Sequence, residues 1–389
     1  MYRFLSFVFA VFFFISCGAG GDGSTSEKDS DTTDTAAEIT DSDTGDTDSD
    51  TGDTDSDAGN TDSDTGNTDT GDTDTDTGDT DTDTDTVPDT GDTDTGDTDF
   101  QACSNEETDN FDGDSIKIRI VAGNITSGNK QSYDPGDGIR IFKALKPDIA
   151  LVQEMNYKNN SDSDYRNFAQ QIVGASCYAV DDADYDIPNG VVSRYPIKSH
   201  GYWKDPNINN RALFWAVVDI PGNTDIFAIS VHLKTDDGGK QNAAAKVIVD
   251  EIAKVKEKNP GKYYYVVGGD FNGTSAVSSN GFGKNNTFYV DGPDPVDEKK
   301  NGNTNAGRNK QYDFVLADYP LHEFQVPVVY YSSKDPEKTK TYENGLVFDT
   351  RVYDQSVLNE YFSPAQKNDS GASNMQHMAI VKDFLIELK

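Results

Sequence analysis

Polar and apolar residues alternate along Ile116-Lys-Ile-Arg-Ile-Val121, the period of a strand with one buried face. The same reading predicts strands at Asp148–Gln153, Asn189–Ser193, Arg211–Ile220, Asp225–His232, Tyr263–Val267, Tyr312–Ala317 and Met378–Leu388. Asp148–Gln153 is apolar throughout its middle, as suits a strand covered on both faces. Helical spacing predicts helices over Gly138–Leu145, Asp164–Gly174 and Gln241–Lys258, the last stopped by Asn259-Pro260-Gly261. Many strands with a few helices between them predict two packed sheets with helices outside. Residues Val329–Tyr361 fit no motif.

Upstream of this region the pattern changes twice. An apolar run from Phe4 to Ile15 follows Arg3 and ends in Ser16-Cys17-Gly18. It is too short to span a bilayer comfortably and has the build of a secretory signal. Residues from about 22 to 99 are almost wholly Asp, Thr, Ser and Gly. They have nothing to bury and like charges that repel, so a disordered, extended spacer is expected. Asp-x-Asp-x-Asp-x-Gly superficially suggests calcium loops, but no Glu closes them and no apolar residues flank them. The Thr residues are also candidates for O-glycans.

Charge follows the same division. The chain has 389 residues and a net charge of −36. The first hundred residues hold 29 acidic and 2 basic side chains, leaving the remainder at −9. Whole-chain acidity would argue against a polyanionic ligand. At −9, a divalent metal and a local basic patch can offset it. There are three cysteines. If Cys17 serves an anchor, Cys103 and Cys177 remain, either as a disulfide or as two thiols.

The informative polar residues stand at strand ends. Asn124 follows the first strand, Gln153-Glu154 ends the second, and His232 ends Ala228–Val231. Asp270-Phe271-Asn272 follows Tyr265–Val267 through two glycines, Asp313 opens Phe314–Leu316, and His377 precedes the last strand. Any one is ordinary: a lone strand-end His is usually structural. Together they are the kind of group that a sheet scaffold gathers from distant sequence into one site.

Their order resembles the endonuclease/exonuclease/phosphatase superfamily. The matching pieces are Val-Ala-Gly-Asn124, Leu-Val-Gln-Glu154, Val-Val-Ser-Arg-Tyr-Pro-Ile197, Ser-Val-His232-Leu-Lys, Gly-Gly-Asp270-Phe-Asn272, Tyr-Asp313-Phe-Val-Leu and Gln-His377-Met-Ala-Ile. The resemblance implies a four-layer α/β sandwich, two packed and mainly antiparallel sheets flanked by helices. It implies metal-assisted phosphoester hydrolysis with Mg2+ or Mn2+, Ca2+ being a third candidate. Glu154 would be the main metal ligand, with Asn124 and Gln376. His377 would be the base, oriented by Asp313. His232 would donate to a phosphate oxygen, and Asp270 with Asn272 would position nucleophile and phosphoryl group. Phe-Ile-Ser-Cys17 resembles a lipobox, so residues 1–17 are read as a lipoprotein signal peptide, 18–114 as a tether and 115–389 as the catalytic domain.

Two positions depart from the family. Ser-Asp-His is usual before its last strand, whereas Gln376 precedes His377 here. Asn210 stands where pancreatic-type enzymes carry a Glu that supports the first histidine. Arg211 and Lys234 are candidate substrate contacts, and Lys240, Arg308 and Lys310 further candidate phosphate contacts. The expectation is a monomeric nuclease of the bacterial outer membrane or cell surface, lipid-anchored, with nucleic acid as substrate and no protein partner. The alternatives are a phospholipid or small phosphomonoester hydrolase, and a catalytically weak surface binding module.

Overall fold

The computed structural model describes residues 111–112, 114–181 and 185–388. The expected signal peptide, lipidation at Cys17 and acidic spacer fall on residues outside those described. No helix among the described residues is long and apolar enough to cross a membrane.

The strands are β1 (Phe111–Asp112), β2 (Ser115–Gly123), β3 (Ile149–Val152), β4 (Cys177–Val180), β5 (Gly190–Ser193), β6 (Ile197–Trp203), β7 (Leu213–Val218), β8 (Asp225–His232), β9 (Tyr263–Asp270) and β10 (Asp313–Ala317). They continue with β11 (Gln325–Val326), β12 (Val328–Tyr331), β13 (Thr339–Tyr342), β14 (Leu346–Phe348) and β15 (Ala379–Glu387). The helices are α1 (Asp137–Leu145), α2 (Asp162–Val173), α3 (Gly238–Lys258), α4 (Tyr319–His322) and α5 (Gln355–Tyr361). One sheet runs β11-β15-β2-β3-β5-β4, with β1 on β2 and β14 on β15. The other runs β10-β9-β8-β7-β6, and β12-β13 form a separate hairpin. Among the described strands, only β2–β3 and β8–β9 pair in parallel.

Side-chain alternation shows how the layers stack. Phe214, Ala216, Val218, Ile226, Ala228, Val266, Val315 and Ala317 of the second sheet join the core of the first sheet. The intervening Leu213, Val217, Phe227, Ile229, Val231, Tyr265, Val267, Phe314 and Leu316 pack with Ala244, Ala245, Ile248 and Ile252 of α3. One face of that sheet therefore meets the first sheet and the other meets α3, as the period of two requires. Helices α1 and α2 cover the first sheet's outer side, contributing Ile141, Phe142, Phe168 and Ile172 to its core. These are the four layers that the resemblance implied.

Sequence boundaries held to within a few residues. Helix α3 begins three residues earlier than expected, because the Asp237 side chain accepts the Lys240 N–H and caps it. Strands β4 and β6 and the short β11–β14 were not foreseen. In β6 (Ile-Lys-Ser-His-Gly-Tyr-Trp) alternate residues are exposed at a sheet edge, so no buried stripe marks it. Cys177 is disulfide-bonded, and its partner lies outside the described residues.

Candidate active site

The inward-facing alternation of the second sheet ends in chemistry. Ile226, Ala228, Ser230 and His232 share one face of β8; Val266, Gly268 and Asp270 share that face of β9. Register then aligns them: His232 pairs with Asp270 across β8–β9, and Asp270 with Asp313 across β9–β10. A row of His232, Asp270 and Asp313 therefore stands at one end of the space between the sheets. The close approach needs the glycines. A Cβ on Gly269 would lie 2.2 Å from the Val231 carbonyl oxygen, and its φ of +130 is one that L side chains rarely adopt.

The first sheet supplies the other wall. Gln153 keeps strand parity and donates to Ser230 Oγ at 2.9 Å. Glu154 then leaves the strand with φ 51, a left-handed conformation costing roughly 1–3 kcal/mol for a non-glycine residue. That turn delivers its carboxylate beside Asn124. Asn124 Nδ2 donates to Glu154 Oε1 at 3.0 Å, and Thr126 Oγ1 to Glu154 Oε2 at 2.9 Å. Gln376 Nε2 donates to the same Oε2 at 2.7 Å. Thr126, fully buried, was missed by sequence reasoning; a Thr two residues past a strand end gives no signal of its own.

His377 arrives from the loop before β15. Its Nδ1 lies 3.0 Å from Asp313 Oδ2 and 3.4 Å from Asp270 Oδ2. Asn124 holds Asp313 from the other side, its backbone N–H donating to Oδ1 at 3.1 Å. His232 Nε2 is 3.3 Å from Asp270 Oδ2, while its Nδ1 faces Glu154 Oε1 at 3.6 Å without a hydrogen bond. Asn272 has φ 54 and donates Nδ2 to the Leu233 carbonyl at 2.9 Å; its N–H donates to Asp270 Oδ1.

Electrostatics follow from burial. Burial pushes the Glu154 carboxyl up to about 7 against the pull of Asn124 and Thr126. It pushes Asp270 up to about 6, with Asp313 adding and His377 opposing. Burial holds His232 well below the usual imidazole range, with Arg211 and His377 adding to the effect. For His377 burial works downward, but Asp270 and Asp313 outweigh it and raise the ring to about 9.

The structure thus brings together Asn124, Glu154, His232, Asp270, Asn272, Asp313, Gln376 and His377. Arg211 lies behind them. Its Nε donates to the His232 carbonyl at 2.6 Å and its Nη2 to the Leu233 carbonyl at 3.0 Å, so it braces the end of β8. Asn210 accepts from Arg211 rather than supporting His232. Lys234 is exposed nearby. Arg308, a candidate phosphate contact, is tied to Asp297 and Asp349. Lys240 pairs with Asp237 at 3.1 Å.

The donors suit a hard divalent cation. Buried carboxylate oxygens at close range are an arrangement such a cation offsets. Asp270, Asp313 and His377 present ligand atoms within 4.8 Å of one another. At Glu154, the amide nitrogens of Asn124 and Gln376 face the carboxylate; turning the amides over would present oxygens there.

Fold and site together define a four-layer α/β protein with a buried acid–imidazole centre where its two sheets meet. No model of a known protein family and no curated protein matches the chain. Solved structures that resemble it include truncated TDP2 from Caenorhabditis elegans, at 17% identity over 69% of this chain and 98% of that one, with a TM-score of 0.40. An endonuclease/exonuclease/phosphatase from Beutenbergia cavernae matches at 17% identity over 70% and 72%, with a TM-score of 0.43. An AP endonuclease from Archaeoglobus fulgidus matches at 15% over 69% and 99%, with a TM-score of 0.40.

Proposed function

We propose that this chain is a metal-dependent phosphodiesterase, a nuclease acting on DNA or RNA outside the cytoplasm. The observation that carries the reading is the register-aligned row of His232, Asp270 and Asp313 with His377 seated on Asp313. A general base needs an oriented, neutral imidazole. The Asp313 contact orients the His377 ring through Nδ1 and leaves Nε2 for a water. A divalent cation offsetting the charge of Asp270 and Asp313 would release the ring from the protonated form that these carboxylates favour up to about 9. Asp270 stands between the two histidines, its Oδ2 3.3 Å from His232 Nε2 and 3.4 Å from His377 Nδ1, where it could hold an attacking water, and Asn272 holds Asp270 through its backbone N–H. His232, whose ring nitrogens face Asp270 and Glu154, would donate to a phosphate oxygen as charge develops.

Glu154, with the Oδ1 of Asn124 and with Asp270, would hold a magnesium- or manganese-type ion. When bound, that ion supplies positive charge to the phosphate and leaving oxygen. Gln376 would bring a neutral oxygen where the resemblance leads one to expect a carboxylate. An extracytoplasmic location would set aside abasic-site repair and intracellular inositol phosphates, and the exposed Lys234 beside the site is a candidate contact to a nucleic-acid backbone.

The test is a plasmid-nicking assay with Mg2+ or Mn2+ against chelator, run beside sphingomyelin and phosphomonoester substrates. Nicking that needs metal and falls roughly 10²–10⁴-fold in His377→Ala is the expected outcome. Failure to hydrolyse any phosphoester, with His377→Ala indistinguishable from the parent, would sink the enzyme reading. Hydrolysis of sphingomyelin alone would move the assignment to lipid.

A further inference from the structure

We propose that Arg308, clamped between Asp297 and Asp349, is a positioning residue for the Asp313–His377 pair. The inference rests on the functional reading above but concerns geometry that can be read without activity. Arg308 sits on a turn, Thr304–Lys310, whose two arms carry the pair. On one arm, Thr304 is fully buried. Its Oγ1 accepts the N–H groups of both Tyr312 and Asp313 at 2.9 Å. Its carbonyl accepts the Met378 N–H at 2.7 Å. Asn305 bridges His377, and the Ala306 N–H donates to the Gln376 carbonyl at 2.9 Å. The backbone flanking both halves of the acid–imidazole pair is therefore fixed to one short turn.

That turn contains no regular element to stiffen it. Its ends are closed on each other by hydrogen bonds, the Lys310 carbonyl accepting the Thr304 and Asn305 N–H groups and Asn305 Oδ1 accepting those of Asn309 and Lys310, and charge ties its tip to the neighbouring segments. Arg308 pairs with Asp297 and, through Nε, with Asp349 at 3.0 Å. Its Nη2 also donates to the Asn301 carbonyl, and its own carbonyl accepts from the Nδ2 groups of Asn301 and Asn303. All three charged side chains are largely shielded, at 12%, 2% and 3% exposure, so solvent screens the pairs little. Asp349 is shared with Arg351, which also donates to the Ala306 carbonyl on the same turn. Asp349 comes from Val329–Tyr361, the segment that fits no sequence motif. The geometry gives that segment a role: it anchors the turn on which the pair is mounted.

A guanidinium reaches two carboxylates with fixed geometry, which an ammonium cannot reproduce. The full chain would be compared with its Arg308→Gln, Arg308→Lys, Asp349→Asn, Thr304→Val and Thr304→Ser variants. One readout is the imidazole nitrogen spectrum of His377 against that of His232 without metal. The other is kcat and KM on bis(p-nitrophenyl) phosphate, a diester too small to reach distant cations. Arg308→Gln and Thr304→Val should lower kcat about tenfold or more with KM nearly unchanged, since small misplacements of a catalytic group are costly. They should move the His377 signals and spare those of His232. Thr304→Ser should restore both, and Arg308→Lys and Asp349→Asn should fall between.

Unchanged His377 signals and kcat in a folded Arg308→Gln protein would overturn the proposal. A loss seen only in KM for DNA and in its salt dependence would overturn it too, in favour of a phosphate contact. If Arg308→Gln does not fold, Asp349→Asn and the Thr304 pair decide by the same readouts. A parent protein that hydrolyses no diester would refute the functional reading alone, because the His377 spectra still test the positioning.

Discussion

Gln376 shows how one residue's chemistry is set by its neighbours. Its carboxamide donates to a Glu154 carboxylate that burial already pushes toward protonation. Gln376→Asp would replace that donor with a second negative charge against Glu154. Without metal the variant should lose about 1–3 kcal/mol of stability, from a lost charge-assisted hydrogen bond and a new repulsion. With Mg2+ or Mn2+ the loss should shrink, because a cation between two carboxylates is better compensated than one beside an amide. Thermal melts across a metal titration check this; equal destabilisation at all metal concentrations would refute it. The residue types at the site were legible in the sequence because strand ends punctuate it. Their hydrogen-bond roles were not. Arg211 at a strand edge and Arg308 in a loop both read as surface cations on paper, yet both turn inward because a carbonyl or carboxylate lies within reach.

At the scale of elements, strand register converts spacing into proximity. His232, Asp270 and Asp313 meet because β8 and β9 run parallel in one register and β10 returns antiparallel in another. Gly269 is the tight point in that pairing. Gly269→Ala should cost at least about 1–3 kcal/mol, since its Cβ would press on the Val231 carbonyl, a backbone atom that cannot swing aside, at a φ that L side chains rarely adopt. It should also part His232 from Asp270. Chemical denaturation together with the histidine spectra measures both; a variant of parental stability would refute the packing argument. Long strands with one buried face and the long amphipathic α3 were readable from periodicity. Short strands such as β11 and β14 were not, because two or three residues hold too little of a period.

At the scale of the whole molecule, the contact between the two sheets creates environments that neither has alone. A cavity of about 230 Å³ lies between β10 of one sheet and β15 of the other, lined in part by Asp294, Asn344 and Lys382. Burial there lowers the Lys382 ammonium from 10.5 to about 8, with Asp294 pulling partly back. The charged form is disfavoured in the fold, so the unfolded chain binds more protons between pH 8 and 10.5. Stability should therefore rise with pH through that window, and the penalty should be fully present below it. Lys382→Met should remove the rise. Denaturation of both proteins at pH 7 and pH 10 measures it; an equal gain in the two would refute the assignment to Lys382.

The sequence by itself determined the order of the longer strands and helices, the alternation that gives each sheet its two faces, and the residue types that close those strands. Those are local properties, fixed by period and by turn chemistry. It also separated the acidic N-terminal stretch from a nearly balanced remainder. The tertiary structure alone decided which strands become neighbours, in what register, and so which side chains touch. It turned Glu154 out of its strand by a left-handed residue, engaged Arg211 with backbone, and bound Arg308 to two aspartates more than ten residues away. Such contacts depend on distances across the fold, which spacing along one chain does not contain.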